Sequence, residues 1–268
     1  MITGYSNIIS VTTLPGLLLD VYSNAAAAYS VRKLRTAYSG SAIRVRRSSD
    51  NTEQDIGFDI NGNLDTSALT TFCSGTNGFV TTWYDQSGNA RNATQTTAIS
   101  QPQIVSSGSV NILNSKPTII ASPTQNWSFS SGIPITLYSL FITYYKTATG
   151  NQAVLGQGDD GYMWLDYGTN QYVTSSGIIS IAANLPINTQ MLYSAIVNKS
   201  TTSEIFKNNT SIGSRGSITS SDFNMTEFPY SSARSASLNL QEIIIYSSNK
   251  GSNRSAINTN INTYYGIY

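Results

Sequence analysis

Short segments rich in β-branched and aromatic residues recur along the sequence, and each is bounded by Gly, Asn, Ser or Pro. Such segments are typical of β-strands separated by turns. We predict strands at Ile43–Arg47, Phe79–Tyr84, Thr118–Ala121, Leu137–Tyr145, Gln152–Leu155, Tyr162–Leu165, Gln171–Val173, Ile178–Ala182, Met191–Val197, Ser203–Lys207 and Leu240–Tyr246. Many short strands at close spacing favour an all-β antiparallel sandwich or barrel.

Three other segments have the pattern of short helices. The first runs from Asn24 to Tyr38, where strong helix formers are followed by Gly40. The second covers Thr66–Cys73 behind Asp65, a good N-cap residue. The third, Arg254–Tyr265, has apolar residues at helical spacing and closes the chain.

Two turn sequences stand out between the strands. The sequence from Lys207 to Thr210 has two central Asn residues, which tolerate positive φ and predict a hairpin. In the block Trp83–Asn89, Asp85 is expected to cap backbone N–H groups of a tight turn. The alternative interpretation is sugar binding, with an aromatic residue of this block stacking on the ring.

The composition excludes several function classes. Lys+Arg number 15 and Asp+Glu 14, so the net charge of +1 argues against nucleic acid or an anionic membrane as the partner. The absence of His excludes Ser-His-Asp catalysis and His-ligated zinc. The single cysteine, Cys73, excludes an internal disulfide and is expected to be a small buried residue. We expect no cofactor or metal, because the two aspartates in Gln157–Gly161 are too few for calcium.

The first half of the chain carries a series of blocks that resemble the catalytic domain of arabinofuranosidase B. The blocks are Leu19–Tyr22, Arg35–Gly40, Arg44–Asp50, Asp55–Gly57 and Thr82–Asn89. The resemblance implies a concanavalin A-like jelly-roll β-sandwich. The second half is similar to the laminin-G/concanavalin A-like lectin pattern, in the hairpin from Ile205 to Gly213 and in the last strand, Leu240–Tyr246. Similar sequences occur in structural proteins of tailed phages.

The resemblance also implies where catalytic carboxylates belong. A retaining glycosidase needs two carboxyl groups about 5–5.5 Å apart. The nucleophile motif of the family falls on Leu165–Gly168, with Asp166 in place of glutamate. The family's acid lies shortly before the strand that matches Glu242, and Ser231–Ser235 has no carboxylate there. The pair therefore looks incomplete, and we expect no arabinofuranoside hydrolysis.

We accordingly predict a non-enzymatic surface protein of a tailed-phage virion, such as a capsid decoration, head-fibre or tail-fibre protein. We see no export signal in the sequence, and lysis would release a virion protein without one. Residues 1–16 are expected to form an arm that contacts other virion proteins, and residues 17–268 to form one jelly-roll domain in a homo-oligomer. The alternatives are a carbohydrate-binding module without catalysis and an arabinofuranosidase-like glycoside hydrolase.

If the domain binds glycans, the sequence indicates where. Trp164, Asp166, Tyr167 and Asn170 lie close together on a strand and the turn after it. An aromatic ring can stack on a sugar while short polar side chains take its hydroxyls. The alternative is that Trp164 packs in the core. The alternating arginines Arg44, Arg46 and Arg47 are expected to form ion pairs that hold the fold.

Overall fold

The protein is described from a computed structural model. It covers residues 16–135, 137–148, 152–157, 161–167, 170–172, 180–182, 186–198, 200–217, 223–229 and 237–268. For residues 130, 134, 135, 152, 153, 157, 161–167, 170–172, 180–182 and 223, the backbone alone is described. The predicted arm, apart from Gly16, and the loop 158–160 lie outside the described residues.

Strands dominate the chain. The helices are α1 (Leu18–Val21), α2 (Thr66–Phe72) and α3 (Arg254–Tyr265), with 3-10 turns at Ala98–Ser100 and Gly251–Asn253. The first ten strands are β1 (Ala27–Ser30), β2 (Ile43–Arg47), β3 (Glu53–Ile56), β4 (Gly78–Trp83), β5 (Ala93–Thr94), β6 (Gln103–Ser106), β7 (Ser109–Val110), β8 (Ile112–Leu113), β9 (Lys116–Pro117) and β10 (Ile119–Ala121). The others are β11 (Trp127–Ile135), β12 (Leu137–Lys146), β13 (Gln152–Gln157), β14 (Gly161–Tyr167), β15 (Asn170–Tyr172), β16 (Ser180–Ala182), β17 (Gln190–Asn198), β18 (Ser203–Lys207), β19 (Thr210–Arg215), β20 (Phe223–Phe228) and β21 (Leu238–Tyr246).

The strands form two antiparallel layers. In sheet one, β21 pairs with β1 and β10 along one edge and with β12 along the other, followed by β17, β18 and β19. Sheet two has the order β3–β2–β4–β5–β11–β20–β13–β14–β15–β16. Strand β6 pairs with both β4 and β10 and so joins the layers. This arrangement confirms the predicted all-β sandwich with a C-terminal helix.

Aromatic side chains fill the core between the layers. Tyr29, Trp83, Trp127, Phe129 and Phe228 are buried, and Phe228 lies at the centre, with ring centroids 5.1 to 5.8 Å from the other four. Tilted and edge-on packing at these distances adds to the free energy gained by burying apolar area. The indole N–H of Trp127 donates to the Val80 carbonyl at 3.0 Å, so its polar atom is satisfied in the core.

The predicted helix over Asn24–Tyr38 is wrong. Asn24 has φ of 65°, and Ala27–Ser30 pairs with Ile245–Glu242 as strand β1. Residues 25–31 are all buried, whereas an amphipathic helix keeps one face in contact with solvent. The alanines are small enough to pass between closely packed neighbours, and tertiary packing overrides their helix propensity.

Other local predictions are confirmed. Asp65 caps α2 by accepting from the Ala68 N–H at 2.9 Å, and Cys73, at its C-terminus, is buried. The hairpin forms at Lys207–Thr210, with Asn208 and Asn209 at φ of 47° and 67°. Each predicted strand has a counterpart within about two residues at either end. Ten strands were not predicted, namely β1, β3, β5, β6, β7, β8, β9, β11, β19 and β20. Within the described part of the chain, no helix has the length and apolarity needed to cross a membrane.

Candidate functional site

The four predicted sugar-contact residues lie on one hairpin at the far side of sheet two. Trp164, Asp166 and Tyr167 belong to β14 and Asn170 to β15, and Tyr167 pairs with Asn170 across the turn. Asp166 is opposite Gln152 of β13 on one side and Gln171 of β15 on the other. For these four residues the structure describes the backbone and not the side chains. The backbone therefore brings the four residues together, and their contact with sugar stays a prediction.

A row of polar side chains crosses the outer face of the same sheet. Thr82, Thr94, Ser128 and Glu227 are successive register partners on β4, β5, β11 and β20. Each is a sequence neighbour of a buried core residue, namely Trp83, Ala93, Trp127 and Phe228, and successive side chains of a strand point to opposite faces. Thr94 and Ser128 are exposed, and Thr82 is half-buried. We call Thr82, Thr94 and Ser128 the hydroxyl row.

Glu227 ends this row and is held by a chain of amides. Asn126 Nδ2 donates to Glu227 Oε2 at 2.7 Å, and Gln95 Nε2 donates to Asn126 Oδ1 at 2.8 Å. Gln101 Nε2 donates to the Gln95 carbonyl at 3.0 Å, and Arg46 Nε donates to Gln101 Oε1 at 2.7 Å. Asn126 and Gln101 are buried, so the network fixes the carboxylate on the sheet surface.

Glu227 was missed from the sequence. The signal that could have found the strand is the group of apolar residues at positions 223, 225 and 228 among polar ones. Strict alternation from the buried Met225 would place Glu227 on the buried face, so its outward position does not follow from the sequence pattern.

Glu227 is too far from Asp166 to form a catalytic pair with it. Glu227 is opposite Gly156 of β13, and Gly156 is opposite Tyr162 of β14. Asp166 lies four residues further along β14, which is about 13 Å in the strand direction. Two strand-to-strand spacings separate β20 from β14 in the perpendicular direction, so the Cα atoms of Glu227 and Asp166 are about 16 Å apart. Paired glycosidase carboxyls are about 5–9.5 Å apart. Glu227 therefore belongs to the outer surface of the sheet.

Two of the three arginines of β2, Arg44 and Arg47, form the predicted ion pairs, whereas Arg46 donates to the side-chain oxygens of Gln101 and Asn51. Arg44 Nε lies 3.2 Å from Asp55 Oδ1 and 3.6 Å from Glu53 Oε2, at the β3 end of the row. Arg47 forms a bidentate ion pair with Asp50, and these hydrogen bonds hold the pKa of Asp50 well below its usual range. These pairs are partly exposed, so they orient side chains more than they stabilise the fold.

The family-like block Trp83–Asn89 has a structural role. Asp85 is buried; its Oδ1 accepts from the N–H groups of Ala28 and Ser87, both at 2.9 Å, and its Oδ2 accepts from the Arg91 N–H at 3.0 Å. Gln86, also buried, accepts from the Leu34 N–H and donates to the carbonyls of Ser30 and Arg32. The capping interpretation is confirmed, and Trp83 packs inward.

Glu242 has a structural role too. It is fully buried and accepts from Arg32 Nε at 2.8 Å and Nη2 at 3.0 Å, and from the Ser30 hydroxyl at 2.7 Å. Tyr265 of α3 lies against the same carboxylate, and burial raises the pKa of Tyr265 well above its usual value. The cluster ties the closing helix to both β1 and β21.

Comparison with solved structures supports the fold. The chain is similar to an arabinofuranosidase in complex with arabinofuranosyl-α-1,2-xylobiose, with a TM-score of 0.67, 16% identity and 91% of this chain covered. A GH54 α-L-arabinofuranosidase soaked with a cyclic sulfate inhibitor matches with a TM-score of 0.65, also at 16% identity over 91% of this chain. The chain spans 64% of the length of each. No protein of curated function matches the sequence.

A family model described as "Alpha-L-arabinofuranosidase B, catalytic" matches residues 20–173, more than half of the chain. This match overturns the prediction of a non-enzymatic virion protein. That prediction had rested on the lack of a carboxylate in Ser231–Ser235, a stretch that lies outside the described residues. The chain belongs to the alpha-L-arabinofuranosidase B catalytic domain family.

Proposed function

We propose that this protein is a glycoside hydrolase that removes arabinofuranosyl groups from a neutral pentose polysaccharide. The observation that carries the proposal is the family match over residues 20–173, which includes β14 and Asp166. The outer face of sheet two supports it, because the hydroxyl row and Glu227 offer donors and acceptors at strand spacing to a polyhydroxylated chain. The near-neutral charge of the protein suits an uncharged substrate.

Asp166 is the proposed nucleophile. In the retaining reaction its carboxylate attacks the anomeric carbon and forms an arabinosyl ester, while a second carboxyl group protonates the departing oxygen. The same second group then takes a proton from the water that hydrolyses the ester. Aspartate is one methylene shorter than the glutamate that the resemblance implies, so the sugar must approach β14 more closely.

Glu227 is too far from Asp166, so we expect the second carboxyl group among the acidic residues that border the paired strands of sheet two. Asp222 directly precedes β20, and Asp159 and Asp160 lie between β13 and β14 in the sequence. The ion-paired Glu53 and Asp55 and the buried Asp85 and Glu242 are committed to the fold. This leaves a small set of substitutions to test.

Release of 4-nitrophenol from 4-nitrophenyl α-L-arabinofuranoside tests the proposal. We expect turnover by the wild type and a loss on the order of 10⁴-fold in kcat for Asp166→Asn. Asp65→Asn, at the half-buried cap of α2, is the matched control and should keep the wild-type rate. No release by the wild type, or full activity of Asp166→Asn, would show that the proposal is wrong.

Azide identifies the second carboxyl group. In a variant that lacks the acid/base residue, azide attacks the glycosyl ester without needing a general base, so activity returns as arabinosyl azide forms. We expect one of Asp159→Ala, Asp160→Ala and Asp222→Ala to be rescued in this way. Rescue of Asp166→Ala with the same stereochemistry as the wild type would contradict its role as nucleophile.

A further inference from the structure

A polar pocket lies where α1, the start of β1 and the turn after β4 meet. It has a volume of about 410 Å³, which is within the range of small-molecule sites. Its polar lining consists of Asp20, Ser23, Asn24, Arg35, Ser87 and Asn89. These residues come from three separate stretches of sequence, so the pocket exists only in the folded chain.

Two opposite charges face this pocket without pairing to each other. Asp20 accepts from the Thr36 N–H at 3.1 Å and from the Thr36 hydroxyl at 2.6 Å. Arg35 Nη1 donates to the Ser87 carbonyl at 2.7 Å. Across the described residues, neither Asp20 nor Arg35 forms an ion pair. A guanidinium has five N–H donors, so most of those of Arg35 are left for a ligand.

The backbone of the turn makes room for the guanidinium. Gly88 has φ of +97°, which favours glycine, and a Cβ at this position would lie 2.5 Å from Arg35 Nη1. The neighbouring Asn89 donates from Nδ2 to the carbonyls of Ala25 and Ala26 at 2.9 and 3.1 Å. The wall of the pocket is thus fixed by hydrogen bonds, and Arg35 lies close against it.

We propose that this pocket binds one neutral sugar unit of a polysaccharide and is separate from the catalytic strand. A carboxylate and a guanidinium together carry no net charge, and each can bind hydroxyl groups by charge-assisted hydrogen bonds. The pocket borders the end of β4, five strand steps from β14, so about 24 Å separate them across the sheet. The choice of a pentose polymer rests on the proposed function.

A second binding position on the same domain raises the affinity for a polymer without changing the reaction of a small substrate. The test uses affinity gel electrophoresis in soluble arabinoxylan, with Asp166→Asn as the background so that the polymer stays intact. We expect Asp20→Asn and Arg35→Gln to weaken retardation by about tenfold, the loss of a hydrogen bond to a charged group. Thr36→Ala removes a partner of Asp20 outside the pocket and should leave retardation unchanged.

With Asp166 intact, the two pocket variants should hydrolyse 4-nitrophenyl α-L-arabinofuranoside at the wild-type rate. Unchanged retardation in both would overturn the proposal, whatever the activity of the wild type. If a variant unfolds, hydrogen exchange of the unmodified protein is measured instead, with and without xylotetraose. Protection confined to residues 19–25 and 85–89 supports the pocket, and no protection there overturns it. Because these readouts need no turnover, they are independent of the hydrolase test.

Discussion

The Asp85 turn and the outer face of sheet two use polar residues in opposite ways. Asp85 and Gln86 are buried and direct every described hydrogen bond to backbone or neighbouring turn groups. The hydroxyl row lies one residue away from the core, and two of its three members are exposed. The sequence block that most resembles the family therefore holds the fold together. The residues available to a ligand are ordinary Thr and Ser, which carry no distinctive motif.

The largest effect that tests this contrast is expected at Asp85. Asp85→Ala leaves the buried N–H groups of Ala28, Ser87 and Arg91 without their acceptor, at a cost of about 4 kcal/mol in the free energy of unfolding. Urea denaturation measures this cost, and Asp65→Ala, which removes a half-buried helix cap, should cost about 1 kcal/mol. Equal losses for the two variants would break the comparison.

The next largest effect on stability is expected for Glu242→Gln. It leaves the buried Arg32 guanidinium without a counter-charge, and breaking a buried pair costs about 3 kcal/mol. The matched variant is Glu53→Gln, whose partner Arg44 is partly exposed, and it should cost under about 1 kcal/mol. If both variants melt at the same temperature, burial does not decide the strength of these pairs.

Substitutions in the hydroxyl row should affect polymer binding and leave stability unchanged. Ser128→Ala and Thr94→Val change exposed side chains, so the free energy of unfolding should stay within about 0.5 kcal/mol of the wild type. If the row contacts the polymer, the KM for arabinoxylan should rise about threefold, while kinetics with the small chromogenic substrate stay constant. An unchanged KM in the double variant would remove the row from the substrate surface.

The smallest effect concerns Asp50 and its dependence on pH. The hydrogen bond from Arg47 lowers the pKa of Asp50 in the folded state, so the stability it adds is present above the unfolded pKa of about 4. That contribution is lost as the pH falls through the folded pKa. Wild type should therefore melt slightly above Asp50→Asn at pH 7, and the gap should close toward pH 2. A gap that widens in acid would contradict this assignment.

Local chemistry predicted much of the fold. The Asn-Asn hairpin, the Asp65 cap and the closing helix follow from residues within one turn of each other. Strand β2, at Ile43–Arg47, and strand β18, at Ser203–Lys207, were predicted with their observed bounds. Strand β20 was missed because its pattern is short and lies among polar residues, and its pairing with β11 and β13 joins segments distant in sequence.

The sequence by itself determined the all-β class, the Asp85 turn and the resemblance that leads to the arabinofuranosidase family, because strand alternation and capping act over a few residues. Only the tertiary structure decided that the alanines of β1 form a strand, since burial on all sides outweighs their preference for a helix. It also decided that Glu227 joins the hydroxyl row and that Asp20 and Arg35 share a pocket. Such juxtapositions depend on register between distant strands and turns, which no local pattern encodes.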